Sequence, residues 1–145
     1  MRSILSLCLV LAAVFSGAAV ARDTKHLLSI QEAMNSKTFQ ERLNPEVRFY
    51  FGDTSHPAPQ VRLGEFVTNK KTNAVGKSDQ EACRWVFLSA LLSLEQRALA
   101  EGGNAVVNVR SYYKKNTFSS ATEYECHAGA VIAGVALIGD VVRLP

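Results

Sequence analysis

The sequence predicts an α+β fold in two layers, with one long central helix packed on a mostly antiparallel sheet. Three observations predict it. Residues 79–101 carry an apolar stripe at helical spacing, framed by a capping serine and a glycine pair. Most of the other ordered segments alternate apolar with polar residues and are rich in branched and aromatic side chains, the pattern of half-buried strands. The order is mostly strands with one dominant helix in the middle, which reads as α+β.

The elements follow in order. Thr24 to Ile30, with Leu27, Leu28 and Ile30, reads as a short strand. Gln31 to Leu43 reads as helix in two pieces, broken near Asn35-Ser36 and closed at Asn44-Pro45, because a residue before proline resists the helical region. Val47 to Phe51 is a strand. Gly52 to Pro59 holds Gly-Asp, His-Pro and a further proline, and is a loop. Leu63 to Lys71 alternates Leu63, Glu65, Val67 against Gly64, Phe66, Thr68, and is a second strand.

The central helix is expected from about Asp79 to Glu101. Ser78-Asp79-Gln80-Glu81 fits a capping box, in which the serine oxygen accepts the Glu81 amide and the glutamate reaches back. Cys83, Phe87, Ala90, Leu94 and Ala98, flanked by Val86 and Leu91, form the buried stripe, and Gly102-Gly103 ends it. Asn104 to Tyr113 is a strand with Val107, Val109 and Tyr113 expected inward. Lys114 to Ser120 reads as a polar hairpin loop. Ala121 to Ile138 is one long bent strand or two short ones, with Gly129 and Gly134 as bend or bulge sites. Gly139-Asp140 is expected to turn into a last strand, Val141 to Leu144.

Compartment comes from the N-terminus. Arg2 precedes an almost wholly apolar run from Ile4 to Phe15, and small residues lead to Ala19-Val20-Ala21. A basic start, a short apolar core and an A-x-A site read as a cleavable signal over residues 1–21. The run is too short to span a bilayer, which needs about 20 residues. Cys8 lies inside this core, without small residues before it, and is not a lipid-attachment site. Residues 22–145 are then a single periplasmic or secreted domain with no membrane anchor after cleavage. The net charge of the full chain is only +3, too little to argue for nucleic acid or an anionic membrane.

Beyond Cys8, the chain has Cys83 and Cys126. In an oxidising compartment an even pair favours a disulfide. A bridge closing a loop of roughly 40 residues is worth about 4 kcal/mol in the chain-entropy model. Two buried free thiols are the rival reading.

No chemistry-bearing motif is complete. Gly76-Lys77-Ser78 before a helix matches the end of a phosphate loop, but Lys71 stands where its first glycine belongs. A glycine turn followed by a capping serine explains the same residues. His26, His56 and His127 are scattered. His127 and His56 are the candidates for a metal or small-ligand site, although Cys126 and His127 point to opposite faces of a strand. Cys83 near a helix start, beside Arg84, invites a nucleophile reading, but its phase points inward. Lys70, Lys71, Lys77, Lys114 and Lys115, with Tyr112 and Tyr113, form a candidate basic patch; lysines on loops and edge strands also keep a sheet soluble.

Several segments carry a resemblance: Phe49-Tyr50-Phe51-Gly52, Phe66 to Asn73, Glu81-Ala82-Cys83-Arg84-Trp85, Asn104 to Val109, and Glu125 to Ala130. Through them, residues 49–144 resemble a family of small exported bacterial proteins of unknown function whose members often bear the name "excinuclease ATPase subunit". The chain lacks a complete phosphate loop, the ABC signature Leu-Ser-Gly-Gly and zinc-finger cysteine sets, so the resemblance does not imply a genuine excinuclease ATPase. More distantly, the helix, the Gly-Asn-Ala-Val-Val strand and the aromatic-Glu-Cys strand are similar to the stress-sensing lipoprotein of the Rcs phosphorelay and to a small family once labelled heavy-metal-binding. The stress sensor is periplasmic and disulfide-bonded, which agrees with pairing Cys83 and Cys126. The function expected from all this is a non-enzymatic interaction or envelope-sensor module, without cofactor, acting on an unknown envelope protein or small ligand and not on nucleic acid. The alternative is a periplasmic metal- or small-ligand-binding protein.

Overall fold

The structure, a computed structural model, describes residues 21–145. The signal-peptide reading covers residues 1–21, and all of these but the last, Cys8 among them, lie outside the described residues. Strand β1 (Thr24–Ser29) runs into two short helices, α1 (Ile30–Met34) and α2 (Lys37–Arg42). The break between them is chemical: Ser36 caps α2, its hydroxyl accepting the Phe39 N–H. Then follow β2 (Arg48–Phe51), β3 (Val61–Asn73), α3 (Asp79–Ala100), β4 (Ala105–Tyr113), β5 (Asn116–Phe118), β6 (Glu123–Ala128) and β7 (Ile132–Arg143).

All seven strands join one sheet, ordered β1-β6-β7-β4-β2, with β3 on the free edge of β7 and β5 on β4. Five of the strand pairs are antiparallel and β2–β4 is parallel. The α+β class and the single long helix stand as expected. The flat two-layer picture does not: the sheet is mixed and curls as a half-barrel around the helix. The cause lies in β7. β3 pairs with it along its whole length, while its other edge is shared between β4 and β6. Register shifts in β3 (Arg62/Gly64) and β4 (Val107/Arg110) add local twist and bend the sheet.

α3 fills the concave side and packs on β7, β3, β6 and β4. Its buried residues include the whole expected stripe: Cys83, Val86, Phe87, Ala90, Leu91, Leu94 and Ala98. Ser78 Oγ accepts the Glu81 N–H at 3.1 Å, and Asn104 begins the return after Gly102 and Gly103. The reciprocal bond from the Glu81 carboxylate to the cap amide is not formed among the described residues. Glu95, buried on the same helix, accepts the Asn44 N–H at 2.7 Å and so holds the α2–β2 turn. Burial pushes its carboxyl above the ordinary range, with the Asn44 bond working the other way.

Three sequence expectations need correction. Val107 does not join Val109 in the main core. Asn108 takes a positive φ of 49° in a bulge, so Val106 and Val109 face the helix while Val107 turns to a small cluster with Ala105, Val142 and Leu144 on the other face. Lys114 to Ser120 is not all loop: Lys114-Lys115 make a two-residue turn into β5. Gly139-Asp140 is not a turn. β7 runs straight through, because Gly139 lies under the β4 bulge; a Cβ there would stand 2.6 Å from Val106 Cγ1. A glycine that looks like a turn is a place where a neighbour needs the room.

Candidate functional site

Cys83 and Cys126 are bonded, with Cα atoms 5.8 Å apart and a separation of 43 positions. Both are fully buried. The bridge joins the first turn of α3 to β6. It also removes both sulfurs from nucleophilic or metal chemistry while it is intact.

Trp85 follows Cys83 by two residues and therefore points away from the sheet. It is 46% exposed, unusual for a side chain so large and apolar. With Phe39, Thr38, Lys77, Gln80 and Arg84 it lines an open groove of about 610 Å³ between α2 and the start of α3. The Arg42 guanidinium lies 5.9 Å from the Trp85 ring centre, within cation–π range. The Gly76-Lys77-Ser78 segment lies at this end as the turn the sequence suggested. Gly76 has φ 72°, the Lys77 N–H donates to Ala74 O, and Lys77 Nζ donates to Asn73 O.

A second cluster forms on the outer, convex face around His127. Its Nδ1 lies 3.1 Å from Asp23 Oδ1 and its Nε2 lies 3.0 Å from Glu125 Oε2. Its ring stacks on Tyr113, centroids 3.5 Å apart. Tyr113 OH donates to Asp23 Oδ2 at 3.2 Å, and Lys25 Nζ pairs with Glu125 at 3.3 Å. Burial first, then the Asp23 carboxylate, raises the Tyr113 phenol above its ordinary value. The expectation that Tyr113 packs inward is thus also corrected.

The N-terminal arm is tied down twice. Asp23 meets His127, and Arg22 makes two bonds to Asp79, at 2.7 and 2.9 Å, at the start of α3. His26 Nε2 reaches the same carboxylate at 2.8 Å. The Arg22 bonds, then that of His26, hold the Asp79 carboxyl well below the usual carboxylate range. Gly129 admits the arm, since a Cβ there would lie 2.5 Å from Arg22 O. Sequence reasoning missed this arm. Its partners are 57 and 104 positions away, and nothing local signals them.

The structure does not bring the candidate histidines together. His56 Nδ1 bonds Pro57 O, and its ring packs edge-on to Tyr50, beside the start of β4. His127 stacks at the other end of β4, roughly 25 Å away at ~3.3 Å per strand residue. Both nitrogens of His127 are engaged by carboxylates on opposite sides of the ring. No group of three His, Cys, Asp or Glu side chains among the described residues is arranged to hold a metal ion.

The lysines of the candidate basic patch are partly united. Lys71 and Lys114 line one cleft of about 300 Å³ with Asn69, Tyr113, His127 and Gly134. Lys77 lies in the Trp85 groove instead. Lys114 and Lys115 both hold positive φ, 51° and 64°. Such a turn favours Asn-Gly, and strained residues of this kind cost of order 1 kcal/mol each. No helix among the described residues is long and apolar enough to cross a membrane. No family model, curated protein or solved structure matches the chain.

Proposed function

We propose that this chain is an exported, non-enzymatic interaction or envelope-sensor module, unrelated in activity to an excinuclease ATPase, that docks a partner protein at the Trp85 groove. The observation that carries the reading is the half-exposed Trp85 between Arg84 and Arg42. Tryptophan and arginine dominate the energetics of protein interfaces. Lys77 and Arg84 in the groove and Arg42 over the ring outnumber the groove's Glu81, so the fitting partner segment presents an apolar side chain flanked by carboxylates.

The disulfide supports the same reading. It fixes the helix start to the sheet, so the face bearing Trp85 is organised before a partner arrives, which lowers the entropy lost on docking. The apolar run and A-x-A site of residues 1–21 and the resemblance to small exported proteins support the reading of an envelope partner.

The test is capture from native envelope extracts with oxidised protein, wild type against Trp85→Ala. One defined partner should be retained by wild type and lost with Trp85→Ala, while melting temperature is unchanged. Equal capture by both proteins would reject the groove as the docking site. A mature N-terminus other than Arg22 in natively expressed protein would reject the processing on which export rests.

A further inference from the structure

We infer that the outer face of the sheet carries a binding cleft for a small organic anion, a carboxylate or phosphate, seated over Gly134 between Lys71 and Lys114. The site is separate from the Trp85 groove and does not depend on it.

Strand register makes the cleft. Gly134 on β7 stands opposite Lys71 on β3 and opposite His127 on β6. Directly paired residues share a face, so Lys71, Gly134 and His127 form one row across the outer sheet. Adjacent strands lie about 4.8 Å apart, which places the outer two backbones roughly 10 Å from each other. The middle member of the row has no side chain. A Cβ built on Gly134 meets only ordinary contacts, Lys70 O at 3.6 Å and Lys71 Cγ at 3.8 Å. The glycine is therefore not demanded by crowding or by its backbone. Its effect is to leave the space open.

The walls give the chemistry. Tyr113 and His127 stand on one side, Asn69 and Lys71 on the other, and Ile132, 52% exposed, closes one end as an apolar edge. The other charged groups of the lining are already engaged: Asp23 is hydrogen-bonded by His127 and Tyr113, and Arg22 by Asp79. Lys71 and Lys114 make no ion pair among the described residues, and Lys114 Nζ rests 5.4 Å from the Tyr113 ring. Two free ammonium groups and an amide thus face a cleft whose one carboxylate is occupied. Lys114 is held there by a turn whose geometry favours other residues. Cationic walls concentrate anions, and a volume of about 300 Å³ suits a ligand of metabolite size.

The test is amide chemical-shift titration of the oxidised domain with two probes, succinate and inorganic phosphate, and with neutral succinamide as control. Saturable shifts confined to Lys71, Gly134, Lys114 and His127 are expected from at least one anion and not from succinamide. The responding probe tells carboxylate from phosphate. Lys71→Gln should weaken that binding at least 5-fold, Gly134→Val should abolish it by filling the space, and Lys37→Gln and Trp85→Ala should leave it unchanged. Shifts that grow without saturation, or equally at Lys37 and Lys77, would mark generic counter-ion association and overturn the proposal. Binding that survives both Lys71→Gln and Gly134→Val in folded protein would overturn it as well.

Discussion

Tyr124 lies flat on Phe87, ring centroids 3.8 Å apart and planes 8° from parallel, one helical turn beyond the Cys83–Cys126 bridge. The two contacts repeat the same geometry. A step of four residues along a helix advances about 6 Å, and a step of two along a strand advances about 6.6 Å. Cys83 to Phe87 on α3 therefore keeps pace with Cys126 to Tyr124 on β6. The helix is fastened to this strand at two levels, once covalently and once by an aromatic stack.

The bridge is expected to be complete in oxidised protein and to contribute strongly. An Ellman assay under denaturing, non-reducing conditions should find no free thiol in the domain from Arg22 onward. Replacing both cysteines by serine should lower unfolding free energy by about 4 kcal/mol, read from chemical denaturation. Phe87→Ala should cost about 3–5 kcal/mol on its own. A loss under 1 kcal/mol for the double serine variant would mean that the aromatic stack alone fixes the helix.

Ser78 should matter and Lys77 should not. Ser78 Oγ accepts the Glu81 N–H, so Ser78→Ala leaves that helix-end donor to water and should cost about 1 kcal/mol. Lys77 is exposed, and among the described residues its side chain bonds only the Asn73 carbonyl within its own turn. Lys77→Ala should change the denaturation midpoint negligibly. Isothermal titration should detect no ATP binding in either protein. ATP binding that Lys77→Ala abolishes would restore the phosphate-loop reading.

What the sequence made legible was local. The cap at Ser78, the break at Asn35-Ser36 and the apolar stripe of α3 are short-range patterns, and each lies where expected. The cysteine pair was legible because its partner choice, once Cys8 is set aside, has one solution. What escaped was set by strands meeting across long separations. The β4 bulge at Asn108 reverses the face of Val107, and periodicity cannot foresee a register shift. Gly139 reads as punctuation until Val106 is seen above it. The row Lys71–Gly134–His127 exists only through two strand pairings, so neither lysine spacing nor histidine count could disclose it.

Acid should weaken the arm. The folded Asp79 carboxyl sits below its unfolded value, chiefly through the Arg22 bonds. Its contribution is therefore present above the unfolded pKa, about 4, and is lost as pH falls through the lower folded value. Glu95 acts in the opposite sense: its raised carboxyl favours the folded state at low pH and opposes it as pH rises through the folded value. Melting temperatures of Asp79→Asn and wild type should differ at pH 7 and converge as pH falls below about 4. A constant difference from pH 7 to pH 2 would show that the Arg22–Asp79 tie contributes nothing that depends on charge.

Two buried hydroxyls should respond with opposite signs. Ser111 Oγ accepts the buried Glu125 N–H at 3.0 Å, so Ser111→Ala orphans a backbone donor and should cost about 1–2 kcal/mol. Thr68 Oγ1 is buried with no hydrogen-bond partner among the described residues. It lies on β3 opposite Leu137, in a position where valine keeps the shape and the strand preference. Thr68→Val removes an unpaired polar atom and replaces it with a methyl group, a change worth about 1 kcal/mol of added stability. For a domain of this size that is a rise in Tm of about 3–5 °C, measurable by calorimetry. A fall in Tm for Thr68→Val would mean that the hydroxyl is satisfied in solution, and that the interior beside Leu137 holds water.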